Sequence, residues 1–440
     1  VTDRGVRPLS RGGAFVAGAD DGHSIWYNPA GLANAGRSFL VDASFVGFTG
    51  RYTRRAEPMM GTVVEYPTVV SAQQPLAIPT IVVTHNFGLE KANFAFGLFA
   101  PNAVIPSYPR GSDELPAPQR YSLYSLNGSI LAMTGLYASY KPSEAFSFGG
   151  GIVALAGSFV SELALSGCPA TVTCQPEDTR WDATAQISAA PIFSPTAAFG
   201  VQFHPHERVN IGLSGQLPFW VDAPAKLKVR LPSHPYYDGA TTVGDSAAIS
   251  FMLAPIVRAG VEVRPTRNDR IELSLVWEMW FVHDVITLRN VQNGIRIENV
   301  RGVGTYQVGG QNIVRNWQNA FSIRLGYERT QSFSNGWKLS PRAGFSYDSS
   351  ASGREFTSVL TLDADKFVFS GGAGFGRDRW RIDAGFSFIY APPVNVSTAE
   401  AMIPQVAPFR ASRDAPAYSI NAGRYELSSF VLGAGFDYRW

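Results

Sequence analysis

Trp380–Tyr390, WRIDAGFSFIY, alternates along its whole length. Trp380, Ile382, Phe386, Phe388 and Tyr390 share one side, and Arg381, Asp383, Gly385 and Ser387 share the other. A period of two is the signature of a strand. Charges standing opposite an apolar row do not suit a protein core, where each would need a partner. They suit a wall with lipid on one face and a wet or plugged lumen on the other. Residues 430–440 repeat the pattern, with Phe430, Leu432, Ala434, Phe436, Tyr438 and Trp440 on the outer face. In residues 316–329 the outer set is Trp317, Phe321, Ile323, Leu325 and Tyr327, facing away from Gln318, Ser322, Arg324 and Glu328. Aromatics near strand ends (Tyr327, Trp337, Tyr347, Trp380, Tyr390, Tyr438, Trp440) suit the girdles of a membrane interface.

Reading outward from these segments gives about fourteen strands: 38–51, 78–87, 93–100, 126–140, 145–163, 195–203, 209–221, 250–263, 271–288, 316–329, 337–348, 366–375, 380–391 and 425–440. Short and long connections alternate between them. One long insertion holds Pro101, Pro106, Pro109, Pro116 and Pro118, and another holds both cysteines. A soluble sandwich has no reason to keep its two ends so different, whereas an outer-membrane barrel pairs short periplasmic turns with long extracellular loops. Composition agrees. Charged residues are 16%, against roughly 25% in an ordinary soluble domain, and aromatics reach 12%. No run reaches the roughly 18 apolar residues of a membrane helix. The expected fold is an all-β transmembrane antiparallel barrel of about fourteen strands.

Net charge is +2, with basic residues dispersed, so no nucleic-acid partner is expected. Neither a metal nor another cofactor is expected: His204-Pro205-His206 lies in a turn with no cage of further ligands. His283-Asp284 has no marked nucleophile such as a G-x-S-x-G elbow, so an enzyme is not expected. Cys168 and Cys174, in GCPATVTC, bound a loop short enough to close as a disulfide in an oxidising compartment; two unrelated thiols are the alternative. The opening VTDRGVRPLSRGG has no apolar core of a signal peptide, which fits export with a cleaved signal.

Residues 12–34, GGAFVAGADDGHSIWYNPAGLAN, precede the first strand. Gly12, Gly13, Gly18, Gly22 and Gly31 give the backbone freedom that a compact irregular fold needs. Asn28-Pro29 should end any short helix begun near Ile25. Residues 1–37 are therefore expected to form a hatch inside the lumen, and residues 38–440 the wall. The order Gly12-Gly13-Ala14-Phe15, Ala19-Asp20-Asp21, Tyr27-Asn28-Pro29-Ala30-Gly31-Leu32 resembles the N-terminal hatch signature of the FadL family of outer-membrane transporters. Weaker echoes run through residues 324–328, 342–348 and 423–425. Two departures stand out: the spacing from Phe15 to Asp20 is short, and Val1-Thr2-Asp3-Arg4 is polar, so no ligand contact is carried to the first residues.

The resemblance implies passive uptake of long-chain fatty acids or other hydrocarbons across the bacterial outer membrane. Outer loops capture the substrate, an apolar lumen pocket receives it, and a gap at the third strand releases it sideways. Outer-membrane lipid and lipopolysaccharide are then its surroundings. The hatch residues expected to matter are Asp20, Asp21, Asn28, Pro29 and Ala30, with the two carboxylates pairing lumen arginines such as Arg324, Arg342 or Arg381. Pro101, which has no N–H to donate, either marks the expected lateral opening with Gly97, Phe99 and Asn102 or merely starts an extracellular loop. Apolar residues on the lumen register (Phe99, Leu131, Met133, Leu155, Phe159, Val276 and Trp280) are expected either to contact a hydrocarbon or to pack on the hatch. A non-selective porin or structural barrel is the other reading.

Overall fold

A computed structural model of the protein describes residues 3–59, 61–72, 76–100, 105–112, 115–169, 172–291, 294–409 and 418–440. The wall is a closed antiparallel barrel of fourteen strands. They are β1 (Ser38–Met59), β2 (Leu76–His85), β3 (Ala92–Phe99), β4 (Ile130–Ser143), β5 (Phe146–Ser166) and β6 (Asp182–His206). Four strands are each broken once: β7 (Val209–Gln216, Phe219–Arg230), β8 (Ser246–Leu253, Ile256–Val263), β9 (Asp269–Glu278, Val285–Asn290) and β10 (Gln311–Val314, Ala320–Arg329). The circuit ends with β11 (Trp337–Asp348), β12 (Lys366–Arg377), β13 (Trp380–Tyr390) and β14 (Gly423–Arg439). β14 pairs with β1 from Ser38↔Arg439 to Arg54↔Gly423 and closes the circle. A backbone facing hydrocarbon has no water to pair with, so closure is the condition for a sheet to span a membrane.

All the short connections lie at one end: 86–91, 144–145, 207–208, 264–268, 330–336 and 378–379. The long ones fill the other end, where Cys168 and Cys174 are bonded in the β5–β6 connection with their Cα atoms 6.0 Å apart. Along β13 and β14 the expected faces hold. Ile382, Phe386, Phe388, Leu432 and Phe436 are exposed outward, while Asp383, Ser387 and Asp437 are buried inward.

One seam departs from this regularity. β6 and β7 pair from Thr184↔Arg230 to Ala189↔Ala225 and again from Ala198↔Gln216 to His206↔Val209. The intervening eight residues of each strand, 190–197 and 217–224, form no ladder. The cause lies in two bulges that are out of step. On β6 the inward side chains are Ala185, Ile187 and Ala189, then Ile192, Ser194 and Ala198, so the face changes at Ala190-Pro191. On β7 they are Gly212, Ser214 and Gln216, then Phe219, Val221 and Ala223, so the change falls at Leu217-Pro218. Between the two changes the strands present opposite faces to each other and cannot exchange hydrogen bonds in register. Pro191, Pro195, Pro218 and Pro224 remove four donors from the same window. Three bonds cross it: Leu217 N to Ala197 O (2.9 Å), Thr196 Oγ1 to Leu217 O (2.9 Å) and Ser194 Oγ to Trp220 O (2.7 Å).

The structure corrects several expectations. β6 starts at Asp182 and not at residue 195, and β7 runs on to Arg230. In these extensions the polar side chains point out and the apolar ones in, which disguised them as loop. Trp317, expected on the lipid face, precedes the regular part of β10; its ring packs on Trp280 and under Arg315, on the inside. The ladder of β3 is unbroken on both sides as far as Phe99, through Thr80↔Phe99 and Phe99↔Met133, so Gly97 and Phe99 lie in closed wall. Pro101 and Asn102 lie outside the described residues.

Candidate functional site

The segment before β1 sits inside the wall. Its short helix Ser24–Tyr27 stops at Asn28, which turns extended (φ −162°), and Pro29 opens the 3-10 turn Pro29–Asn34. Gly12 and Gly13 take positive φ (63° and 75°), which lets the chain double back tightly. At Gly344 of β11 a Cβ would lie 2.1 Å from the backbone of Arg11 and Gly12, so only glycine lets the hatch lie this close to the wall.

Charge holds the segment in place. Arg7 reaches Asp20 (2.5 Å), Asp21 (2.8 Å) and, on β10, Glu328 (2.8 Å). Arg270 of β9 reaches Asp20 (2.7 Å) and Glu262 (2.9 Å), and Arg381 of β13 reaches Asp21 (3.2 Å). Arg11, fully buried, lies between Glu262 (3.1 Å) and Glu272 (3.3 Å). Glu272 also accepts the backbone N–H groups of Val16 (2.5 Å), Ala17 (3.0 Å) and Gly18 (2.9 Å), so one wall carboxylate fixes a whole turn of the hatch. Asn28 donates to Val16 O and to Val201 O of β6, both at 3.0 Å, and accepts from Ala30 N at 3.1 Å.

Of the arginines expected to meet Asp20 and Asp21, Arg381 does so. Arg324 pairs with Asp3 instead, and Arg342 with Glu328 and Asp383. The sequence reading missed Arg7, Arg11, Arg270, Glu262 and Glu272. The signal was there: Glu262, Arg270 and Glu272 occupy the inward register of strands whose outward residues, Val261, Leu273 and Leu275, are apolar.

Beyond the hatch, toward the long loops, the lumen holds an apolar cluster beside a buried ionic one in which Arg54 meets Glu177 and Arg120 meets Glu177 and Asp182. Phe99, Met133 and Leu155 are buried in one cluster with Ile25, Leu40, Val82, Ile187, Ile192, Phe219 and Val221. Leu131, Phe159, Trp26, Phe251 and Leu253 are half-buried against it. Val276 is buried on the inward face of β9, outside that cluster. Trp280 lines a separate cavity of about 290 Å3 with Asp3, Leu9, Trp317 and Leu362. Between the two regions stands Arg258 of β8, 5% exposed, with its guanidinium 4.8 Å from the Trp26 ring centroid. Among the described residues its side chain has no ion pair or hydrogen bond.

Fourteen strands with an apolar exterior, closed inside by the chain's own first residues, define a plugged outer-membrane β-barrel. The chain belongs to the family described as Outer membrane protein transport protein (OMPP1/FadL/TodX), which matches residues 10–439. Its fold is similar to that of a Pseudomonas aeruginosa FadL homologue, with 15% identity and a TM-score of 0.73 over 100% of this chain and 98% of that one. The Pseudomonas putida toluene transporter TodX gives 13% identity and a TM-score of 0.67 over 100% and 99% of the two chains. The Ralstonia pickettii toluene transporter TbuX gives 13% and 0.63 over 99% and 98%. At these identities the likeness is one of fold. No curated protein matches the chain.

One hatch group carries a pH dependence. The His23 ring touches Asp21 at 2.8 Å and Asp42 at 2.6 Å. Burial alone would push its pKa down, but the two carboxylates hold it up to about 10. Asp21, which burial alone would raise, is held well below the usual carboxylate range by His23 and Arg7. A histidine raised in the folded state contributes stability that is complete below an unfolded value of about 6.5 and disappears as pH rises through the folded value. Asp21 contributes above about pH 4 and loses that contribution only in strong acid. Amide exchange of residues 16–31, corrected for intrinsic rates, is therefore expected to be slowest below about pH 6.5, to accelerate progressively between about pH 6.5 and about pH 10, and to level off above that. A His23→Asn variant should lack that acceleration. A flat profile through pH 11 in the wild type would contradict the assignment.

Proposed function

We propose that the protein carries hydrophobic small molecules passively across the outer membrane, and that they leave its lumen sideways between β6 and β7. The observation carrying this reading is the apolar cluster that ends at the unladdered seam: Ile192 and Phe219, buried in the cluster, belong to the two unpaired strand segments. A hydrocarbon gains about 25 cal/mol per Å2 buried there, and would lose it on release into water. Exit along the barrel axis meets the hatch, whose buried ion pairs close the periplasmic side. The structural neighbours, toluene transporters among them, agree with a hydrophobic cargo. The expected lateral opening thus moves from β3 to the β6–β7 seam, while Phe99, Leu131, Met133, Leu155 and Phe159 keep a role as walls of the apolar path.

Arg258 favours a cargo with an acidic head. A buried guanidinium without an ion partner carries a desolvation cost of several kcal/mol, and a carboxylate arriving at the Trp26 ring would offset it. Within the family's range of hydrophobic compounds, this supports long-chain acids over neutral hydrocarbons.

Three measurements test these statements. Proteoliposomes are expected to admit a fluorescent long-chain acid and not small sugars; rapid sugar-driven swelling would establish a porin instead. Ser194→Trp, which fills the seam from inside, should slow acid uptake at least five-fold in a barrel of unchanged heat stability, and normal uptake would remove the seam from the route. Arg258→Gln should weaken binding of a long-chain acid roughly ten-fold, the scale of one charge-assisted hydrogen bond, and leave its methyl ester unaffected. Equal losses for acid and ester would refute a head-group contact.

A further inference from the structure

Above the seam, β7 reverses the polarity of an ordinary membrane strand. From residue 221 to 230 the inward side chains are Val221, Ala223, Ala225 and Leu227, all buried, and the outward ones are Asp222, Pro224, Lys226, Lys228 and Arg230. In hydrocarbon the order is the opposite, as β13 shows. This stretch therefore stands above the apolar band, and Trp220, 67% exposed just below it, marks the boundary as a girdle residue does.

The outward face there is a cationic trough. Lys226, Lys228 and Arg230 form a row that spans about 13 Å at a rise of about 3.3 Å per residue. Arg289 of β9 stands two strands away, across from Pro224, because Pro224 pairs with Ala248 and Ala248 with Arg289. The floor between them is made by the outward residues of β8, Ser246, Ala248 and Ser250, and on the other flank by Thr184, Gln186 and Ser188 of β6. The acids on this face are Asp222, paired with Arg289, Asp245, 3.5 Å from Lys226, and, one strand beyond Gln186, Glu162, paired with Arg110. The side chains of Lys228 and Arg230 have no ion pair or hydrogen bond among the described residues. Elsewhere at this end of the barrel Arg55 is matched by Glu65 and Arg424 by Glu426, while Arg51, Arg301 and Arg354 are exposed singly, with no ion pair among the described residues. With Arg110 and Glu162 counted, five cations stand against three carboxylates on one small-residue floor, and the unmatched ones, Lys228 and Arg230, are neighbours in one row.

We propose that this trough seats the phosphorylated sugar headgroup of an outer-leaflet glycolipid. The height of the trough puts it level with the headgroups, and Lys and Arg are the residues that hold phosphate oxygens. A disaccharide with a phosphate at each end presents two anions at about the spacing of the cation row, whereas a glycerophospholipid presents one. The site depends on the outer-membrane placement of the barrel and not on which molecule crosses it. A glycolipid held there covers the outer mouth of the β6–β7 seam, since Trp220 and Lys226 belong to one strand.

The test is native mass spectrometry of the full chain in detergent, titrated with bis-phosphorylated diglucosamine lipid, with its dephosphorylated form, and with phosphatidylglycerol. The wild type is expected to bind the bis-phosphorylated lipid at least ten-fold more tightly than either comparator. The variant Lys226→Gln/Lys228→Gln/Arg230→Gln should lose about 10- to 100-fold, and the matched-cation variant Arg55→Gln/Arg424→Gln should lose nothing. Should the triple variant fail to assemble, Lys228→Glu alone is read and is expected to lose at least three-fold. Wild-type binding in the assembled variants, or equal binding of the dephosphorylated lipid or phosphatidylglycerol, overturns the proposal.

Discussion

Backbone amides that face hydrocarbon must find their partners within the protein, and the whole architecture follows from that requirement. It forces the sheet to close, which β14 does against β1 over seventeen consecutive pairs. It also makes any interruption informative, because an unpaired stretch persists only where donors are few or water reaches the backbone. The β6–β7 window satisfies the first condition with four prolines. It does so without losing register: the paired blocks above and below are separated by eight residues on each strand. The gap is thus a local phase error between two bulges, held at both ends by ordinary ladder.

The hatch is governed by the complementary rule for charge. A lumen lined by strand residues of alternating polarity must present its polar row inward, and a plug in that lumen must neutralise what it meets. Arg7, Arg11, Asp20 and Asp21 do so from the hatch side, and Glu262, Arg270, Glu272, Glu328 and Arg381 from the wall. Dry pairs of this kind add little net stability, but each is costly to break singly. Their joint effect is to give the segment a single seating. The backbone N–H groups of residues 16–18 on Glu272 set the depth of that seating more sharply than charge alone can.

The barrel was legible in the sequence because lipid imposes a period of two with apolar residues outward, as in β13 and β14. The hatch was legible because small residues, paired carboxylates and Asn28-Pro29 precede any strand. What escaped lay where the polarity rule inverts. Residues 183–189 and 221–229 alternate as strictly as any membrane strand, but their apolar side faces in, since the outside there is aqueous and the inside is the apolar path. Read with the lipid rule they look like loop. Trp317 was misplaced for a related reason: the break between residues 314 and 320 shifts its phase, and period-two counting through a break reverses every face beyond it.

The same inversion bears on the route. Along β6 and β7 the inner face is polar and the outer face apolar on the hatch side of the bulges; beyond them the inner face is apolar and the outer face charged. A hydrophobic molecule entering from the loops therefore meets favourable surroundings only down to the level of the bulges. To continue along the axis it would have to displace the hatch. Breaking a buried pair by removing one partner costs about 3–5 kcal/mol, and displacement opens at least three such contacts, those of Arg7, Arg11 and Arg381. This is comparable with the roughly 13 kcal/mol that a chain of about sixteen methylenes gains from burial at about 0.8 kcal/mol each, so burial of the cargo leaves no surplus to displace the hatch. The lateral seam opens none of these pairs. At the level where the inner face of β6 and β7 ceases to be apolar the wall itself lacks a ladder, so on the proposed route the polarity of the interior and the phase of the strands set the same height.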